Sequence, residues 1–135
     1  MENIYLNELA NILDNIEKIQ EKLLANKKDI ENIIALLKEF SSNPIDNNLD
    51  DPIIQRAKKT LQELINDLQN EYYKLESLTP TPDWQKFHSI FLNSLKQQIE
   101  GYKEIFLVFI DGNITHITVG TIKVKNALDI LHENV

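Results

Sequence analysis

The chain has 135 residues, 42% of them apolar and 26% charged, which fits one folded domain with a real core and excludes a disordered chain. Net charge is −7, with 14 basic against 21 acidic residues, which disfavours a nucleic-acid backbone or an anionic membrane surface as partner. There is no Cys, so disulfides, thiolate catalysis and Cys-ligated metals are excluded, and three Gly leave no glycine-rich phosphate loop.

No run of about 18 apolar residues is present, so no membrane-spanning helix is expected. The start, Met1-Glu2-Asn3-Ile4-Tyr5, has neither a basic nor an apolar leader region. A cytoplasmic protein is the expectation, with an extracytoplasmic domain as the alternative if a leader or anchor precedes these residues. Ile, Asn and Lys are abundant, and Arg occurs once, at Arg56. Their AT-rich codons point to a low-GC bacterial or phage source. The regular Asn3, Asn7, Asn11 and Asn15 then read as a solvated helix face.

Residues 3–40 carry the strongest pattern. Leu9, Ile16, Leu23, Ile30 and Leu37 recur every seven residues, and Ile12, Ile19, Asn26, Ile33 and Phe40 follow three residues behind. This is a heptad repeat, widened by Leu6, Leu13 and Ile34 into a stripe that suits a helix packed on two neighbours. At 1.5 Å per residue such a helix is roughly 57 Å long. Asn26 either fixes register or marks a break.

Residues 41–52 read as a loop, and Pro44 ends the first helix. Ile45 and Leu49 are spaced to fold back as a cover. Asp51 is the expected N-cap of a second helix, with Pro52 at its first position. That helix, 53–78, repeats the pattern with Ile54, Leu61, Leu68 and Leu75 in one column. Ala57, Leu64, Glu71 and Leu78 form the other, flanked by Ile65 and Tyr72. Glu71 is expected to rotate outward and leave the seam to Tyr72.

Thr79-Pro80-Thr81-Pro82 breaks the second helix. Thr81 as N-cap, Pro82 and Asp83 are expected to open the third, 83–110. Trp84, Phe87, Phe91, Leu95, Ile99, Tyr102, Phe106 and Phe109 follow at spacings of three and four, which makes it the best-buried helix. A fourth helix is expected over 114–132, carried by Ile114, Ile117, Thr121, Val124, Leu128 and Leu131. Here the sequence pulls two ways. Residues 105–119 form two β-branched runs around Asp111-Gly112, a hairpin signal. The helical spacing continues on both sides, and a lone hairpin would leave bare edges, so the helix is preferred.

The expected architecture is therefore all-α, an antiparallel four-helix bundle with a long N-terminal helix in one domain, 1–135. The alternative is a helical bundle with a hairpin around Asp111-Gly112.

Candidate chemistry is sparse. His88 shares a helix face with Trp84 and reads as structural. His116 has no orienting carboxylate beside it in sequence. Asp129 and His132 are three apart, but a di-metal bundle needs Glu-x-x-His pairs, and none exists. Ser89 and Ser94 lie within a helix, away from any nucleophile turn. Arg56, Lys58 and Lys59, like Lys123 and Lys125, read as ordinary solvated charges. Asn113-Ile114-Thr115 is a formal glycosylation sequon without a secretory leader.

No cofactor and no metal is expected, and no catalytic motif is visible. The expected function is non-enzymatic, through protein–protein contact with another chain or a second copy, as monomer or homodimer. The first helix outruns its successors, so Ile30, Ile33, Ile34, Leu37 and Phe40 form the candidate interaction surface, unless Ile45 and Leu49 already cover it. A bundle whose third-helix aromatics line a small-ligand pocket is the alternative.

Overall fold

The computed structural model describes residues 2–25 and 52–133. All of their regular structure is helical, and no strand occurs among them. Helix α1 spans Glu2–Ala25 and α2 spans Pro52–Ser77. A single 3-10 turn, Pro82–Trp84, leads into α3, Gln85–Phe106. A one-turn helix α4, Val108–Asp111, and then α5, Thr115–Glu133, complete the order. The loop 41–52, the Asp51 cap, the possible break at Asn26 and the surface Ile30, Ile33, Ile34, Leu37 and Phe40 lie outside the described residues.

The heptad columns become the core. Leu9, Ile12 and Ile16 of α1 are buried with Leu64, Leu68 and Leu75 of α2 and Phe91, Leu95 and Ile99 of α3. Tyr5 joins them, one turn ahead of Leu9. Each of these larger side chains contributes about 1.5–3 kcal/mol by leaving water. Leu6 packs at the edge of this core. Leu13 does not: it lies at the flank of the Leu9–Ile16 column and is 41% exposed. A smaller apolar cluster joins Ile54 at the start of α2 to Val108 of α4, with Ala57, Phe109, Ile114 and Ile117 around it.

Helix α3 is buried on two faces. His88, Phe91, Leu95 and Ile99 look toward α1 and α2. Ser94 and Gly101, seven residues apart, look toward α5. They meet Ala127 and Gly120, also seven apart. The Ser94 hydroxyl donates to the Ala127 carbonyl at 2.7 Å, and Gln98 donates to Ser94 Oγ at 3.3 Å. A Cβ built on Gly120 would stand 2.4 Å from the Gly101 carbonyl oxygen, and one on Gly101 would stand 2.8 Å from the Gly120 oxygen. The two helices thus run antiparallel and cross backbone against backbone. This pairing is the most extensive among the described residues.

The hairpin alternative is overturned over 105–119. Helix α3 ends at Phe106 with Leu107 as its C-cap, short of the expected 110, and the chain makes one further turn. Gly112 then adopts φ 71°, the left-handed conformation, and its N–H bonds the Val108 carbonyl. Glycine takes that position without the Cβ penalty most residues would carry there. Asn113 Oδ1 accepts the Thr115 N–H at 3.0 Å and so caps α5. The residues that look like a hairpin turn act as a helix stop followed by a helix start. The β-branched run stays helical because Gly120, Val124 and Ala127 have α3 to pack against.

Thr81 is the N-cap of the 3-10 turn, with Pro82 and Asp83 behind it as expected, but it makes no side-chain capping bond, and its buried hydroxyl has no partner among the described residues. The 3-10 turn is closed by backbone alone, Trp84 N–H to the Thr81 carbonyl at 2.9 Å.

Candidate functional site

Three polar constellations are built where the helices meet. The first centres on Glu71. Its place in the α2 heptad column carries it inward against α1, not outward, and only 7% of its side chain is exposed. The outward rotation expected from the sequence is wrong for a physical reason: α1 supplies Asn15, whose amide donates to Glu71 Oε1 at 3.3 Å. Lys74, three residues on along α2, donates to the same oxygen at 3.0 Å while keeping its stem in solvent. Tyr72 is left half-buried beside the seam. The second carboxylate oxygen, Oε2, is buried and has no hydrogen-bond partner among the described residues. Beside it a cleft of about 230 Å³ opens between the two helices. Asn15, Lys18 and Ile19 line one wall, and Asp67, Asn70, Glu71 and Lys74 the other.

The second constellation is a clasp around His116. Nδ1 stands 2.9 Å from Glu104 Oε1 of α3, and Nε2 stands 2.7 Å from Asp111 Oδ2 at the end of α4. Carboxylates only accept hydrogen bonds, so a ring serving two of them carries protons on both nitrogens. The bonds to Glu104 and Asp111 accordingly hold the histidine pKa above its ordinary value. Asp111 is held below the usual carboxylate range, first by the Asn113 backbone N–H and then by His116. A ring occupied at both nitrogens has no lone pair free to take a proton. The clasp ties α3, α4 and α5 together rather than offering a base.

The third is Tyr5 and His88. The phenol of α1 lies 3.0 Å from Nδ1 of the α3 histidine, and both side chains are buried. Burial pushes the histidine pKa down and the Tyr5 hydroxyl up. A neutral ring accepting from the tyrosine satisfies both groups.

The remaining candidates stand apart. Asp129 and His132 are exposed, and no group of three or more metal-capable side chains converges among the described residues. Ser94 is spent on the Ala127 carbonyl, and Ser89 is exposed. Lys58 lies over the Phe106 ring at 5.9 Å, so one member of the short basic cluster covers an aromatic face. Trp84 of the 3-10 turn stands edge to face on Phe87 at 5.7 Å, and Phe87 is tilted against Phe91 at 5.8 Å. They close over the core, and the cleft at Glu71 is lined from α1 and α2 instead.

Sequence reasoning missed the clasp. Its signal was Glu104 and Asp111, seven residues apart and so on one side of the chain, facing a histidine across a turn. It also missed the small-residue seam of Ser94, Gly101, Gly120 and Ala127, visible as a heptad of small residues inside an aromatic stripe.

Comparison with known proteins finds no matching family, no matching curated protein and no matching solved structure.

Proposed function

We propose that this chain is a non-enzymatic, cytoplasmic helical protein that works by binding another protein or a second copy of itself. The supporting observation is apolar side chains left in solvent around the α3–α4 break and along α5. Leu107 and Ile110 protrude at the break after α3, with Ile110 63% exposed, and Val119 and Ile122 protrude from one face of α5. An apolar side chain left in solvent gains when a partner covers it, so these positions are candidate contacts. His88 and His116 are engaged with partners of the same chain, which favours a structural use for them. The finer architecture that goes with this reading is a single antiparallel four-helix bundle. In it the heptads beyond residue 25, with Ile30, Ile33, Ile34, Leu37 and Phe40, extend the contact surface.

Affinity capture from the native host, run with wild type and with Ile110→Asp and Ile122→Asp, tests the proposal. A specific protein retained by wild type and lost in either variant supports it. Light scattering at micromolar concentration covers the homodimer case, in which Ile33→Asp or Leu37→Asp yields a monomer. A wild-type chain that stays monomeric and retains no protein overturns the reading.

A further inference from the structure

The Asp111-Gly112 bond carries a chemical liability of its own. An aspartate carboxyl carbon can close a five-membered ring with the next backbone nitrogen. Where glycine follows, no Cβ shields that nitrogen. Here the approach is open: nothing lies within 4 Å of a Cβ built on Gly112, and the Asp111 side chain is 51% exposed to water. Ring closure joins the Gly112 nitrogen to Asp111 Cγ and breaks one Cγ–O bond. The amide proton and the hydroxyl of the protonated carboxyl leave together as one water. Solvent water then opens the succinimide at its backbone carbonyl and leaves isoaspartate, with the main chain rerouted through Cβ.

The fold holds each reacting group off that course. The Gly112 N–H is bonded to the Val108 carbonyl at 2.9 Å. Asp111 Oδ1 accepts the Asn113 N–H at 2.9 Å, and Oδ2 faces His116 Nε2 at 2.7 Å. Turning Cγ onto the Gly112 nitrogen breaks both carboxylate bonds. The same bonds favour the ionised carboxylate, whose oxygen leaves poorly, and they hold Asp111 below the usual carboxylate range. We propose that Asp111-Gly112 is a latent isomerisation site, kept closed in the folded protein by the His116 clasp and its anchor on Glu104. Its rate is then set by local opening of the clasp, not by unfolding of the whole chain. The product lengthens the main chain by one methylene and leaves its free carboxylate on Cα, so the joint of α4 and α5 does not reclose in its original form.

The test incubates the full chain at neutral pH beside a free peptide of residues 108–116. Isoaspartate at residue 111 is followed by peptide separation after proteolysis. Wild type is expected to isomerise about tenfold more slowly than the peptide, and His116→Gln about fivefold faster than wild type. Ile99→Val weakens the buried core without touching the clasp, and is expected to stay within about twofold of wild type. If His116→Gln does not fold, Glu104→Ala takes its place: it removes the anchor of the ring, leaves Asp111 intact, and is expected to isomerise about threefold faster than wild type. A wild-type rate equal to that of the peptide overturns the proposal. So does a clasp variant no faster than wild type, or an Ile99→Val chain accelerated as much as the clasp variant, since global unfolding would then set the rate.

Discussion

Gly101 of α3 and Gly120 of α5 face each other so closely that neither has room for a methyl group. A Cβ on Gly120 would lie 2.4 Å from the Gly101 oxygen and 2.5 Å from Ile105 Cγ1, and the backbone oxygen cannot rotate out of the way. Two effects oppose each other in Gly120→Ala. Helix propensity favours alanine by about 1 kcal/mol. Overpacking against backbone costs about 1–3 kcal/mol, and the whole α3–α5 seam must open to relieve it. The clash wins, so a net loss of stability with a lower urea midpoint is expected.

Gly112→Ala is the informative contrast. Nothing lies within 4 Å of a Cβ there, yet φ is +71°. A cost of about 1–2 kcal/mol is expected from the left-handed backbone alone. Replacement by Asn, which tolerates that conformation, should recover most of it. If alanine at 112 proves neutral while asparagine is destabilising, the left-handed cap is wrong.

The two internal histidines should give opposite pH slopes. The folded pKa of His116 lies above the unfolded value of 6.5. Its contribution is therefore fully present below about pH 6.5 and is lost as pH rises through the raised folded value. Asp111 works in reverse: its folded pKa is depressed, so its contribution is present above its ordinary 3.8 and is lost as pH falls through the lower value. The stability difference between wild type and His116→Gln should be largest between these limits and should shrink on the alkaline side. Denaturation curves at a series of pH values measure it, and a difference that does not change across neutrality refutes the clasp.

His88 behaves oppositely because its folded pKa is lowered by burial. As pH falls below 6.5, the unfolded chain takes up a proton that the folded chain refuses, so stability drops until the folded value is passed. That acid-side slope should be absent from His88→Leu. Tyr5→Phe, which strips the partner from the buried Nδ1, is expected to cost about 1–3 kcal/mol.

Phe91 and Leu95 sit at the centre of the core, at 2% and 0% exposure. Truncation of either to Ala should cost about 2–5 kcal/mol, set by how far the cavity collapses. Leu13→Ala, at a position 41% exposed, should cost clearly less, on the order of 1 kcal/mol. Similar losses at Leu13 and Leu95 would place the core elsewhere.

The apolar skeleton was legible because it needs only period and sign. The Leu9 and Ile16 column of α1 and the Ile54, Leu68 and Leu75 column of α2 are buried as their spacing implies. The all-helical class followed from the same pattern. What escaped was everything that depends on a neighbour's identity. Glu71 was assigned to solvent because a lone charge in a seam is costly, and only the facing Asn15 makes the inward position tenable. His116 lacked a carboxylate in sequence, yet two reach it once α3 and α5 run antiparallel across the Gly112 turn. The Asp-Gly turn was ambiguous because the same glycine conformation ends a helix or reverses a strand. The choice between them is made by α3, not by local preference.

The position of α3 has a consequence for the order in which the chain can be assembled during synthesis. The buried phenol of Tyr5 finds its partner 83 residues later in the sequence, at His88. The α1 and α2 segments emerge first, with Leu9, Ile12, Leu64 and Leu68 still lacking the helix that completes their core. When α3 follows, it brings a second bare face, with Ser94 and Gly101 still without partners until residues 115–133 arrive. The fold therefore closes in two steps set by translation. Until both are complete the nascent chain exposes surface that the finished fold buries, the interval in which it is most open to aggregation.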